Sequence, residues 1–192
     1  AGGNTRLAER ASATGAWTSS VLPAGFYRGL WIGSPEVIIA LGGDAAALDG
    51  SHAFVAQRVR GVWQKTDLFE FVNGANVQVS GAVVGAGGDI DNLWLVGSDG
   101  ARPWFAPVRT GFSGAGQVIN RFGGPYPSLI GVADSGRGDL WAYGNGTLVA
   151  HRDGAGWVRP TLSTTPSDFE SRWNTSIIST VAVTGTSVWM TA

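Results

Sequence analysis

One short segment recurs four times, and this periodicity constrains the fold more than any other feature. Val37-Ile38-Ile39-Ala40-Leu41-Gly42 returns as Asn92-Leu93-Trp94-Leu95-Val96-Gly97, as Asp139-Leu140-Trp141-Ala142-Tyr143-Gly144 and as Ser187-Val188-Trp189-Met190-Thr191-Ala192. Aligning Ile39, Trp94, Trp141 and Trp189 gives intervals of 55, 47 and 48 residues. Repeats at such a period read as stacked supersecondary units, none of which buries its apolar face alone. Each run is short, rich in Trp, Val, Leu or Ile, and three of the four close on Gly. This is strand chemistry ending in a turn.

Two further runs flank each marker. Before it come Gly29-Leu30-Trp31-Ile32-Gly33, Gly81-Ala82-Val83-Val84-Gly85, Leu129-Ile130-Gly131-Val132-Ala133 and Ser179-Thr180-Val181-Ala182-Val183. Their small residues let a neighbouring backbone come close, as innermost strands around a tight axis require. After three of the markers come Ala53-Phe54-Val55-Ala56-Gln57-Arg58, Trp104-Phe105-Ala106-Pro107-Val108-Arg109 and Leu148-Val149-Ala150-His151-Arg152. The fourth copy of this third run sits at the other end of the chain, as Arg6-Leu7-Ala8-Glu9-Arg10. Counted through the join, the fourth interval is 42, and the four intervals account for the 192 residues. The first and last segments therefore complement each other as one repeat, the arrangement that latches a ring of sheets and removes free sheet edges.

Composition agrees with an all-β chain. Gly (30) and Pro (8) are spread between apolar stretches as turn signals, and no window carries a helical apolar stripe of useful length. With 13 basic and 14 acidic residues the net charge is −1, which excludes a strongly basic nucleic-acid binder. No apolar run approaches the roughly 18 residues of a membrane-spanning helix. The absence of Cys excludes disulfides, thiolate metal sites and a cysteine nucleophile. No cofactor or metal motif is present, so none is expected. The chain begins at Ala1; with no Cys and a single Lys, export after removal of a leader is the expectation, with a secreted or cell-surface location.

The repeat resembles the blade of secreted bacterial β-propellers, whose units run as an inner apolar strand, a "dvWavG" strand, a "Gtv.hrdG..W" strand and an outer strand. Residues Ser128 to Trp157 carry this best, through Gly138-Asp139-Leu140-Trp141-Ala142-Tyr143-Gly144 and Gly146-Thr147-Leu148-Val149-Ala150-His151-Arg152-Asp153-Gly154. The resemblance implies a single domain over 1–192. It would be a four-bladed propeller of four antiparallel strands per blade, with repeats at about 18–63, 64–112, 113–157 and 158–192 plus 1–17, closed by the N-terminal strand joining the last blade. Two such chains pairing into one eight-bladed ring is the alternative. The resemblance says little about activity, because one fold hosts many functions.

Residues that repeat read as scaffold. Trp94, Trp141 and Trp189 fill wedge-shaped space between blades, and Trp17, Trp63 and Trp157 recur at the third turn. Arg10, Arg58, Arg109 and Arg152 form a fourfold set suited to ion pairs or to stacking on Trp. His151 aligns with Gln57 and Glu9, at a position that reads as exposed, and neither His52 nor His151 has a metal-ligand companion at motif spacing. Asp89-Ile90-Asp91-Asn92 lacks the rest of a calcium loop and reads as a turn cap. No catalytic residue is assigned.

Residues that break the symmetry are the ligand candidates: Trp31, Trp104 and Trp173. Aromatic and charged side chains also gather in the irregular stretches 110–127 and 160–174, as Phe112, Arg121, Phe122, Tyr126, Phe169, Arg172 and Trp173. Such groups suit a recognition surface carried on a rigid frame. The expected ligand-binding set is Trp31, Phe112, Arg121, Tyr126, Arg172 and Trp173. The expected function is a lectin-like, carbohydrate-binding extracellular module with a glycan or protein ligand, acting as monomer or homo-oligomer, without nucleic acid or membrane insertion. A protein-interaction or assembly scaffold, possibly a piece of a larger surface protein, is the second reading. A polysaccharide lyase or glycoside hydrolase is the third, with Asp168/Glu170 and Asp89/Asp91 as its carboxylate pairs.

Overall fold

The computed structural model describes residues 5–10, 12–100, 102–108, 120–121, 128–135, 139–145, 148–152, 156–160, 178, 180–184 and 187–191. Among them there is no helix, and the strands form several small antiparallel sheets. The first sheet joins β3 (Phe26–Ser34), β4 (Val37–Gly43), β5 (Ala53–Val59) and β6 (Val62–Asp67), in that order. The second joins β9 (Ala82–Gly87), β10 (Leu93–Ser98), β11 (Pro103–Val108) and β12 (Asn120–Arg121). The third joins β13 (Leu129–Asp134), β14 (Leu140–Gly144), β15 (Val149–Arg152) and β16 (Trp157–Val158). Three hairpins complete the set: β1 (Arg6–Arg10) with β2 (Trp17–Val21), β7 (Phe69–Val72) with β8 (Ala75–Gln78), and β17 (Thr180–Thr184) with β18 (Ser187–Thr191).

The register is that of a repeat. On the first and second strands, Ile39 faces Trp31, Trp94 faces Gly87, Trp141 faces Ala133 and Trp189 faces Ala182. On the second and third strands, Ile39 faces Gln57, Trp94 faces Pro107 and Trp141 faces His151. The same sequence position thus occupies the same place in every sheet.

The sheets stack through their first strands. β3 packs against β9, β9 against β13, and β13 against β17. Gly85 shows why these strands are rich in small residues. A Cβ there would lie 2.9 Å from Val132 Cγ2 and 3.1 Å from the Val132 amide nitrogen, so any side chain would push the two strands apart. Between the first two sheets lies a core of Ile39, Leu41, Val55, Leu68, Val83, Leu95 and Trp104. Between the second and third lie Val84, Val96, Phe105, Leu129, Ala142, Leu148 and Ala150. Val149, Ile178 and Val181 hold β17–β18 to the third sheet. Leu7 joins Leu22, Ala40, Ala56 and Trp63, holding β1–β2 to the outer face of the first.

The expected latch is not among the strand pairings. β1 is hydrogen-bonded to β2 and β18 to β17, each within a two-stranded sheet, and no register links β1 to β18 among the described residues. The described strands therefore form no closed ring. Its two halves lie at opposite ends of the stack, one on the first sheet and one on the third.

The hairpin β7–β8 falls outside the repeat. Asn73 and Gly74 both adopt positive φ (51° and 85°), the two-residue turn that an Asn-Gly pair favours. Leu68 and Val79, fully buried, anchor it to the core between the first two sheets.

Candidate functional site

Of the expected ligand-binding residues, the described structure places one completely. Trp31 is half-buried and packs against the core between the first two sheets, and its indole N–H donates to the Gly88 carbonyl at 3.3 Å. Arg121 lies in β12, with its backbone opposite Trp104; its side chain lies outside the described residues, as do Phe112, Tyr126, Arg172 and Trp173. Phe122 and Phe169 lie outside them too.

Trp104, read as a candidate for a ligand surface because it breaks the repeat, is fully buried; its N–H donates to Ser80 O at 3.2 Å. Breaking a repeat can equally mark a local packing need, and here the ring fills the space opposite Gly97. His151 is another correction. It is half-buried rather than exposed, stacked on Trp141 at 4.2 Å and bonded through Nε2 to Asp139.

The fourfold Arg set behaves as scaffold where it is described. Arg152 lies over Trp94 at 4.9 Å and Arg10 over Trp17 at 5.1 Å. Arg58 donates through one guanidinium nitrogen to both Glu9 oxygens, at 2.7 and 2.6 Å. Arg109 lies outside the described residues. The repeated Trp residues divide. Trp157 stacks on Phe105 and meets Trp94 edge-on, and Trp63 donates to the Ser20 hydroxyl. Trp17 and Trp189, at the two ends of the stack, stand 66% and 65% exposed.

Acid–base groups are few. Asp44 accepts from the His52 amide at 2.7 Å, faces the His52 ring Nδ1 at 3.0 Å and receives the Ser51 hydroxyl. Burial works to raise the Asp44 pKa, but these bonds together outweigh it and hold the carboxyl below its usual value. Ser51 and His52 both converge on the carboxylate, whereas acyl transfer needs the serine on the histidine. The arrangement ties a loop together instead. Asp89 likewise accepts from the amides of Asp91 and Asn92, the turn cap read from the sequence. No cluster of three metal-ligating side chains occurs among the described residues.

No protein-family model matches the chain, and no curated protein or solved structure resembles it significantly.

A groove of about 870 Å³ lies among the described residues at the β1 end of the stack. One wall is the β1 backbone from Leu7 to Arg10; the floor is Leu30, Ile32 and Ile38; Trp17 and Arg58 stand at its rim. Leu30 and Ile32 are 46% and 64% exposed there. Among the described strands β1 pairs with β2 alone, and Leu7 to Arg10 of β1 line this space. The groove thus combines an apolar floor with an open row of backbone donors and acceptors, which suits an added strand. Sequence reasoning missed it, because the signal is an absence of cover over Leu30 and Ile32, which a linear pattern does not carry.

Proposed function

We propose that the chain is an extracellular ligand-binding module of the β-propeller type. Its four repeats supply four sheets, the last assembled where a β1 edge joins a β18 edge, and its ligand is a carbohydrate. The observation that supports this reading is the successive packing of the first strands β3, β9, β13 and β17. Sheets so stacked turn corresponding loops of neighbouring repeats toward one side, a rigid frame for recognition. The ligand side chains are Phe112, Arg121, Tyr126, Arg172 and Trp173 from the two irregular stretches, together with Trp31. Aromatic faces and guanidinium forks together suit sugar rings and their hydroxyl groups. Glycan-array binding tests this. The Tyr126→Ala/Trp173→Ala variant should lose the signal with its melting temperature nearly unchanged; full retention of binding would refute the site.

A second reading, an assembly scaffold, is favoured by a separate observation: Trp17, Leu30 and Ile32 at one end of the stack and Trp189 at the other are exposed. Apolar surface of this kind marks contact sites.

A further inference from the structure

The two ends of the stack carry complementary surfaces, and repeat equivalence identifies the residues that correspond. Ile39, Trp94 and Trp141 share one register position, and each packs toward the sheet that follows its own. Trp189 occupies that position in β18 and is 65% exposed. Conversely, Ala86, Val132 and Val181 share the first-strand position one residue before the marker's partner. Each packs toward the sheet that precedes its own. Leu30 is their equivalent in the first sheet and stands 46% exposed on the groove floor. A face that wants a following sheet and a face that wants a preceding one are both left uncovered.

The backbone edges match in the same way. β5, β11 and β15 are third strands, each paired with a second strand on one side and an outer strand on the other. β1 stands in the third-strand place, with β2 as its outer strand, and pairs with no second strand among the described residues. β18 is a second strand, with β17 as its first, and no third strand pairs with it among the described strands. The outer half, β1–β2, is already docked on the first sheet through Arg58–Glu9 and Trp63–Ser20. What the groove lacks is an inner half-sheet, a β17–β18 hairpin.

We propose that this groove is filled by the β17–β18 hairpin of a second copy of the chain. The proposal rests on the propeller reading and adds whose hairpin completes the fourth sheet. The chain's own hairpin is committed to the third sheet through Val181, Val183, Val188 and Met190. The first-strand packing runs from β3 to β9, β13 and β17, with no approach of similar extent from β17 back to β3. Two copies that each give a hairpin to the other close a two-fold ring of eight sheets, leaving neither edge free. The second- and third-strand register carries over: Val188 opposite Arg10, Trp189 opposite Glu9 and Met190 opposite Ala8, as Leu140, Trp141 and Ala142 lie opposite Arg152, His151 and Ala150. Trp189 then covers Leu30 and sits beside Arg58, the equivalent of Arg152 over Trp94.

The chain has no Cys, so introduced thiols report only on each other. Ala8→Cys and Met190→Cys chains are mixed and oxidised, and run beside an Ala8→Cys/Met190→Cys double variant on a non-reducing gel. The expected result is a covalent heterodimer from the mixture and covalent dimers from the double variant. A monomeric double variant with an intrachain disulfide, and no heterodimer, would overturn the proposal while leaving a single-chain ring standing. No disulfide in either, from protein with an unchanged circular dichroism spectrum, would overturn both. Light scattering on the unaltered chain covers the case of variants that do not fold. A two-chain mass is expected, falling to one chain on Ile32→Arg at the exposed floor, whereas a one-chain mass for the unaltered protein would overturn the proposal.

Discussion

Tyr27 shows how burial and a single hydrogen bond fix a residue's chemistry. Its hydroxyl donates to Pro23 O at 2.8 Å and its ring meets Phe54 edge-on at 5.3 Å. Burial raises its pKa from 10.0 to about 12. The neutral phenol is therefore favoured in the folded state. The stability this confers is fully present below pH 10.0 and is lost as pH rises through about 12. Tyr27→Phe should cost about 1 kcal/mol at neutral pH through the lost bond, and should flatten the fall in stability across that alkaline window. Urea melts at stepped pH measure both; an unchanged alkaline slope would assign the loss to other groups. A residue-scale reading of the sequence caught part of this chemistry. The Asp89 cap and the scaffold role of Arg58 and Arg152 follow from turn and repeat logic. The burial of Trp104 does not, since its slot is made by Gly97 on the neighbouring strand and by Ser80, 24 residues away in sequence.

At the scale of elements, turns decide register. The β5–β6 hairpin turns through Arg60 and Gly61, both with positive φ (50° and 81°), while β7–β8 turns through Asn73 and Gly74 in the same conformation. Asn tolerates this region and Arg does so poorly. The exposed Arg60 makes the first turn the more strained of two otherwise alike. Arg60→Asn should stabilise the protein by roughly 0.5–1 kcal/mol, and Asn73→Arg should destabilise it by a similar amount. Opposite shifts in thermal midpoint are the check; shifts of one sign would mean that side-chain contacts, not backbone strain, set these turns. The strands themselves were legible. In the three four-stranded sheets the marker, preceding and following runs land on the second, first and third strands, because the repeat fixes their order; the fourth following run, Arg6–Arg10, pairs with β2 in a sheet of two strands. The β7–β8 hairpin was not anticipated, although Val72-Asn73-Gly74-Ala75 announces it, because it lengthens one repeat without belonging to the pattern. Most of the expected ligand set, Phe112, Tyr126, Arg172 and Trp173, lies outside the described residues.

For the molecule as a whole, the β1–β2 hairpin is the part held by the smaller apolar cluster. Leu7 and Leu22 meet Ala40, Ala56 and Trp63, and two polar ties, Arg58–Glu9 and Trp63–Ser20, add to them. Arg58 also donates to Pro35 O at 2.5 Å, so one guanidinium joins the hairpin to the first sheet and to its β3–β4 turn. Its side chain is mostly buried, which makes the charge-assisted bonds count for more than a surface pair. Units held by few apolar contacts open at lower free energy than the whole protein. Arg58→Met keeps the apolar stem and removes the bonds. Deuterium exchange in this variant should speed by about tenfold or more over 6–21, for a loss of about 1.5–3 kcal/mol. Exchange over β4, β10 and β14 should stay as it was. If all strands accelerated together, the hairpin would be part of one cooperative unit. Glu9 would then be a core residue of the fold, and the groove beside it a fixed feature rather than a wall that a partner strand must hold in place.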